Sequence, residues 1–202
     1  MDWRRVAPAF PSVASVASLA ALLVTLLPAS AMADRHKAGF GGGVVYAGRS
    51  DLWGIRVTGD WTWKEGESSL TSPGGHATRW MTSWVGEIGQ VAGEHEGSNF
   101  SQTTLLVGLR YTLNEIGSHL RVEPFGEALI GAAYERDLDS RISAAGGFGI
   151  GIDVPLGKMT MTEHHPLVVL RGQYGLHWID GDSAGWYNQV SASVVFRLTR
   201  RK

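Results

Sequence analysis

The chain has 202 residues, 27 glycines, eight tryptophans, no cysteine, and 18 basic against 19 acidic side chains. With 18% charged and 44% hydrophobic residues it reads as one ordered domain, and its near-neutral balance carries none of the basic footprint of a nucleic-acid-binding protein. The lack of cysteine excludes a disulfide framework, a thiolate metal site, a cysteine nucleophile and a lipidated N-terminal cysteine.

Residues 1–33 read as a cleavable signal peptide helix. Arg4 and Arg5 form a basic start, 14–27 is an apolar run, Pro28 breaks it, and Ala31-Met32-Ala33 supplies the small-x-small pattern for cleavage after Ala33. The apolar run is short for a transmembrane anchor. The paired arginines lack the rest of a twin-arginine motif, so Sec-type export is expected. Cleavage leaves 34–202, which keeps every glycine and raises glycine to about 16%, against average usage of about 7%. No later stretch is apolar enough to span a bilayer as a helix.

After residue 33 the pattern is alternation, in eight strand candidates. They are 39–47, 52–64, 80–92, 102–113, 120–135, 143–156, 167–179 and 187–198. The clearest is 52–64, where Trp53, Ile55, Val57, Gly59, Trp61 and Trp63 share one face and Arg56, Thr58, Asp60 and Thr62 the other. Elsewhere Leu105, Val107, Leu109 and Tyr111 oppose Thr104 and Arg110, and Val190, Ala192, Val194 and Phe196 oppose Gln189, Ser191 and Arg197.

A soluble sandwich also alternates, but its strands run about 5 to 6 residues, whereas a tilted membrane strand needs about 9 to 11. Trp53 and Trp63 lie ten residues apart on one face, roughly 33 Å along a strand and roughly 25 Å in height at a tilt of about 40°. That is the spacing of the two aromatic girdles of an outer-membrane barrel. Trp53, Trp61, Trp63, Tyr174 and Trp178 are accordingly the expected girdle residues. Eight strands allow about 21 residues each with their connectors; sixteen would leave no turns, and ten stays open. The expected fold is all-β: an eight-stranded antiparallel up-and-down transmembrane β-barrel.

The chain resembles the small outer-membrane protein β-barrel domain family, related to OmpX-like and OmpA-like barrels. The resemblance rests on Gly39-Phe40-Gly41-Gly42-Gly43, Leu106 to Tyr111, Val122 to Leu129, Gly146 to Asp153 and the closing Asn188 to Leu198. It implies an integral protein of a Gram-negative-type outer membrane, monomeric, in contact with outer-membrane lipid and inserted by the barrel-assembly machinery, without a cofactor or nucleic-acid partner. Two departures stand out. The chain continues past Phe196 to a basic tail, Thr199-Arg200-Arg201-Lys202. With both termini periplasmic, the outer loops are 48–51, 93–98, 136–142 and 180–186, and the longest connector, 65–79, faces the periplasm, the reverse of the usual asymmetry.

The inward positions supply Arg56, Arg110, Arg121, Arg171 and Arg197 against Asp60, Glu87, Glu123, Glu127 and Asp153. Five against five suits a self-neutralising plug in a lumen only wide enough for side chains; the alternative is a proton or ion path along the same groups. A lipid A deacylase-like site needs a His-x-Ser pair at the rim with a supporting acid. His177 is followed by Trp178 and Ile179, and the surroundings of His76 and His95 do not fit. Glu163-His164-His165 reads as a solvated turn rather than a metal site, and Asp180-Gly181-Asp182-Ser183 as a hairpin loop rather than a calcium loop. The expected role is therefore structural or surface-interacting and non-enzymatic. The alternatives are a narrow passage or carrier for small apolar ligands, suggested by inward Val45, Leu106, Phe125 and Leu129, and, less favoured, a lipid-modifying enzyme.

Overall fold

The computed structural model describes residues 38–48, 52–71, 77–95, 98–115, 122–136, 140–156, 167–180 and 185–198. The expected signal peptide with Ala31 and Ala33, Arg121, the 163–165 cluster and the basic tail lie outside them. Eight strands follow one another: β1 Ala38–Ala47, β2 Leu52–Thr71, β3 Ala77–His95, β4 Ser98–Glu115, β5 Glu123–Arg136, β6 Ser140–Leu156, β7 Leu167–Ile179 and β8 Gly185–Leu198. Each pairs antiparallel with its sequence neighbours, and β8 returns to β1, closing the ring with no free edge along the wall.

The register sets the shape of the ring. From Ala38, successive partners run through Trp61, Trp84, Leu109, Ala128, Phe148, Leu176 and Asn188, whose carbonyl accepts the amide of Gly48. One circuit therefore climbs from residue 38 to residue 48 of the first strand. A shear of about ten residues over eight strands tilts the strands by about 40°, so each residue rises about 2.5 Å along the barrel axis. Closure also demands close backbone approach. A Cβ on Gly43 would stand 2.0 Å from the carbonyl oxygen of Ala192 across the β1–β8 seam, so only glycine lets these strands pair.

Alternation places apolar side chains outside and most polar ones inside, as a membrane barrel requires. Ile130, Ile142, Phe148 and Ile150 are among the large apolar side chains exposed on the outer wall, while Arg56, Glu87, Arg110, Asp153 and Arg171 are buried within. No helix among the described residues is long and apolar enough to cross a membrane; the apolar band is carried by strands.

The expected long connector at 65–79 is corrected. β2 continues to Thr71 and β3 begins at Ala77, with a register shift between Thr62 and Lys64 that bends the pair. Only 72–76 joins them. Below the start of β1, β2 and β3 continue as a ladder in which Glu65 faces Met81 and Gly66 faces Trp80. At the opposite rim β3 to β6 also outrun their alternation and rise about 10 Å above the ends of β1 and β2.

Candidate functional site: the lumen and the outer belt

Two features of the barrel carry functional information: the filling of its lumen and the band of side chains around its outside.

In the half of the lumen nearest the chain termini, the inward charges form one continuous column. Arg197 donates to Glu123 and to Asp153, and Asp153 also accepts the Arg171 guanidinium through both carboxylate oxygens, at 2.7 and 2.8 Å. Arg171 reaches Asp60 at 3.4 Å, which also accepts from Arg110 at 3.2 Å. Arg110 donates Nε and Nη2 to Glu127 at 2.9 and 2.6 Å. Gln173 links Glu127 to Arg56, and Arg56 faces Glu87 at 3.5 Å. These residues come from β2, β3, β4, β5, β6, β7 and β8. They meet because the tilt brings residues such as Arg56 and Gln173, 117 apart in sequence, to one level.

All nine expected charges that fall among the described residues join this column. Arg121 lies outside, so four arginines face five carboxylates here, and the five-to-five balance is not drawn from the described residues. All but Arg197, whose side chain is 11% exposed, are buried, where a charge is tolerated only when matched. Phe125, expected to line an apolar passage, has another place. Its ring lies against two guanidiniums, with the Arg110 carbon 4.5 Å and the Arg171 carbon 5.2 Å from the ring centre. Gly151 makes room for it, since a Cβ there would meet the Phe125 ring at 2.4 Å.

Toward the other rim the filling changes character. Val45, Ala47, Leu52, Val85, Val91, Leu106, Leu129, Ala133, Ala145, Ile179 and Tyr187 pack into one apolar cluster, with Leu106 fully buried; Val85, paired with Asp60, carries it down beside the column. Ala47, Leu52 and Ile179 are strand ends at that rim. A polar group sits beside the cluster: His177 contacts the Tyr187 ring at 5.6 Å, and Gln102 donates to the Tyr187 hydroxyl at 3.0 Å. The lumen thus holds an apolar cap over an ionic column. Sequence reasoning picked out Val45, Leu106 and Leu129 as inward but not that they close the barrel. The signal available was the position of these residues in the halves of their strands away from the termini.

Outside, aromatic residues gather at two heights. Near the rim away from the termini Tyr46 contacts Trp53 at 5.0 Å, Trp178 pairs across from Trp186, and Trp186 stacks on Phe148 at 5.4 Å. Near the terminus-side rim Trp61 pairs with Trp84, Trp80 stacks on Tyr111 at 6.2 Å, Phe40 stacks on Phe196 at 5.5 Å, and Trp63 is exposed. From the register the two levels are about 20 Å apart, and about 25 Å between Trp53 and Trp63. Tyr174, expected at a rim, stands four residues below Trp178, between Ile150 and Val190, with its hydroxyl donating to Asn188 at 3.0 Å. The sequence reading missed Trp80, Trp84 and Trp186 as members of these levels. Trp84 and Trp80 fell in one of the two weaker alternating runs, 80–92, and Trp186 just before the start of another.

His177 points into the lumen, and its neighbour Trp178 points outward. Among the described residues no three His, Asp or Glu side chains converge as metal ligands.

No family model matches the chain, and no curated protein matches it. Among solved structures it is similar to Neisserial surface protein A, at 9% identity over 81% of this chain and 96% of that one, with a TM-score of 0.47. It is also similar to the outer membrane enzyme PagL, at 16% identity over 80% and 99%, TM-score 0.48. A third is the outer membrane protein Ail of Yersinia pestis, at 14% identity over 80% and 98%, TM-score 0.40. By its own geometry the chain is an eight-stranded antiparallel up-and-down β-barrel, closed on itself, apolar outside and ionic within.

Proposed function

We propose that this chain is an integral outer-membrane barrel with a sealed lumen, exported by a Sec-type signal peptide spanning 1–33, and that its role is structural rather than enzymatic. The observation that carries this reading is the layered lumen: an ionic column in which four arginines are linked to five carboxylates, capped by the apolar cluster that includes Leu106. A conducting path needs hydrated polar groups from end to end, and the cap fills the lumen with side chains that, Tyr187 apart, cannot hydrogen-bond. A carrier for small apolar ligands needs an apolar cavity, and Val45, Leu106 and Leu129 fill theirs with one another.

The apolar outer band, about 20 to 25 Å between aromatic levels, matches the hydrocarbon thickness that outer-membrane barrels present. With the termini in the periplasm, the outward rim carries connectors of only two to five residues, so its surface is mainly the raised ends of β3 to β6. That favours an envelope-structural role over one depending on long recognition loops. The barrel acts as a monomer, and Phe196, on the outer face of the last strand, serves as the residue read by the assembly machinery.

Fractionation of cells producing the full chain tests the proposal. The mature protein is expected in the outer membrane, migrating differently on gels with and without boiling, and silent in planar bilayers. A soluble periplasmic protein refutes the membrane reading. Steady ion conductance refutes the sealed lumen. Altered lipid A mass spectra on overproduction refute the non-enzymatic role.

A further inference from the structure

The outer wall is not evenly covered. On the terminus-side half of the band an apolar groove of about 680 Å³ crosses β4 to β8. Its walls are Tyr111, Ile150, Ile152 and Tyr174, all exposed, and its floor is Gly126 and Gly172. These two glycines are not there for backbone clearance. A Cβ on Gly126 would meet nothing nearer than 3.9 Å, and one on Gly172 nothing nearer than 4.0 Å. Their effect is to leave a furrow where neighbouring strands carry bulky side chains. From the register, the furrow runs about 17 Å along the axis, from Leu113 near the lower aromatic level to Val190 beyond mid-wall. That is close to one leaflet's share of a hydrocarbon core about 30 Å thick.

A second observation stands at the mouth. Tyr111, which walls the groove, stacks on Trp80 at 6.2 Å, and the ammonium of Lys64 lies 5.7 Å from the centre of the Trp80 ring. Lys64, Thr82 and Tyr111 occupy one register row across β2, β3 and β4. Lys64 is exposed at the lower aromatic level, where the headgroups of the terminus-side leaflet stand. The lower end of the furrow at Tyr111 thus lies two strands from a cation at headgroup depth, with the Trp80 ring between them.

We propose that this groove is a retained-lipid site for a glycerophospholipid of the terminus-side leaflet, with one acyl chain lying over Gly126 and Gly172 and the phosphate drawn to Lys64. The inference rests on the membrane reading above. The chain contributes apolar contact along the furrow, and the cation adds an attraction that lipids without a phosphate lack. The polar pair of Tyr174 and Asn188 near the far end bounds the furrow with groups already satisfied by each other.

The test uses the refolded mature protein, stripped of lipid in detergent and incubated with phosphatidylglycerol or with uncharged diacylglycerol, read by native mass spectrometry. The wild type is expected to retain one phosphatidylglycerol. Gly126→Leu with Gly172→Leu, which fills the furrow, is expected to lower retention roughly tenfold for both lipids. Lys64→Ala is expected to lower retention of phosphatidylglycerol several-fold and leave diacylglycerol unchanged. If the double variant fails to show the heat-modifiable band of a folded barrel, the single Gly172→Val gives the same comparison. Equal retention by wild type and filled variants overturns the groove, and loss of both lipids in Lys64→Ala overturns the phosphate contact. Wild-type protein that inserts into phosphatidylglycerol vesicles but retains no lipid overturns this inference alone; failure to insert overturns the membrane reading beneath it.

Discussion

Replacing Arg110 by methionine separates a sealed ionic column from a hydrated one. Arg110 donates three hydrogen bonds, two to Glu127 and one to Asp60, and its side chain is 2% exposed. Methionine fills much of the same volume but leaves the buried Glu127 carboxylate hydrogen-bonded only to Gln173 and without an ion-paired guanidinium. Asp60 keeps Arg171 at 3.4 Å. Removing one partner of a buried pair typically costs about 3–5 kcal/mol, because the remaining charge stays desolvated. The loss of the Phe125 face contact adds about 1 kcal/mol. Changing Glu127 to glutamine in the same chain removes the orphaned charge, and the double variant is expected to recover about 2 kcal/mol of the single-variant loss. Urea unfolding of the barrel refolded in vesicles, followed by tryptophan fluorescence, gives these values. A single-variant loss below about 1 kcal/mol, with no coupling to Glu127, means that water solvates the column, and refutes the sealed-lumen reasoning.

Three further outcomes follow from the same geometry. Leu106→Ala, at the centre of the apolar cap, is expected to destabilise the barrel by about 2–5 kcal/mol, and Leu106→Gly with Leu129→Gly to produce conductance in planar bilayers where the wild type is silent. Gly43→Ala is expected to abolish the heat-modifiable folded band, because its Cβ would meet the Ala192 carbonyl oxygen at 2.0 Å, whereas Gly126→Ala, with open space at 3.9 Å, leaves folding and unfolding midpoint essentially unchanged. Ala33→Arg is expected to block signal cleavage, so that pulse-labelled protein accumulates as the full 202-residue precursor on gels, while the natural chain shortens by 33 residues.

Most strands were legible because the membrane barrel imposes a period of two, and the period is a local property. The prediction for β7, residues 167–179, coincides with the observed strand, and β1 and β8 differ from it by one and two residues. The reading stopped short where strands leave the apolar band. Residues 65–71, Glu-Gly-Glu-Ser-Ser-Leu-Thr, show no alternation because no lipid there rewards an apolar face, yet the ladder through Glu65 to Met81 and Gly66 to Trp80 holds them in β2. The inward parity of the nine described charges was equally legible. Their partners were not, since nothing in local sequence says that Gln173 bridges Glu127 and Arg56.

The sequence by itself determined which residues face in and which face out, and with eight alternating runs it set the number of strands. Only the tertiary structure decided height. The shear of about ten residues on closing the ring carries Tyr174 below the rim it was expected to mark, stacks the ionic column under the apolar cap, and opens the furrow over Gly126 and Gly172. Parity follows from the pleat of each strand taken alone, whereas height follows from the offset between strands, which is settled only when the last pairs with the first.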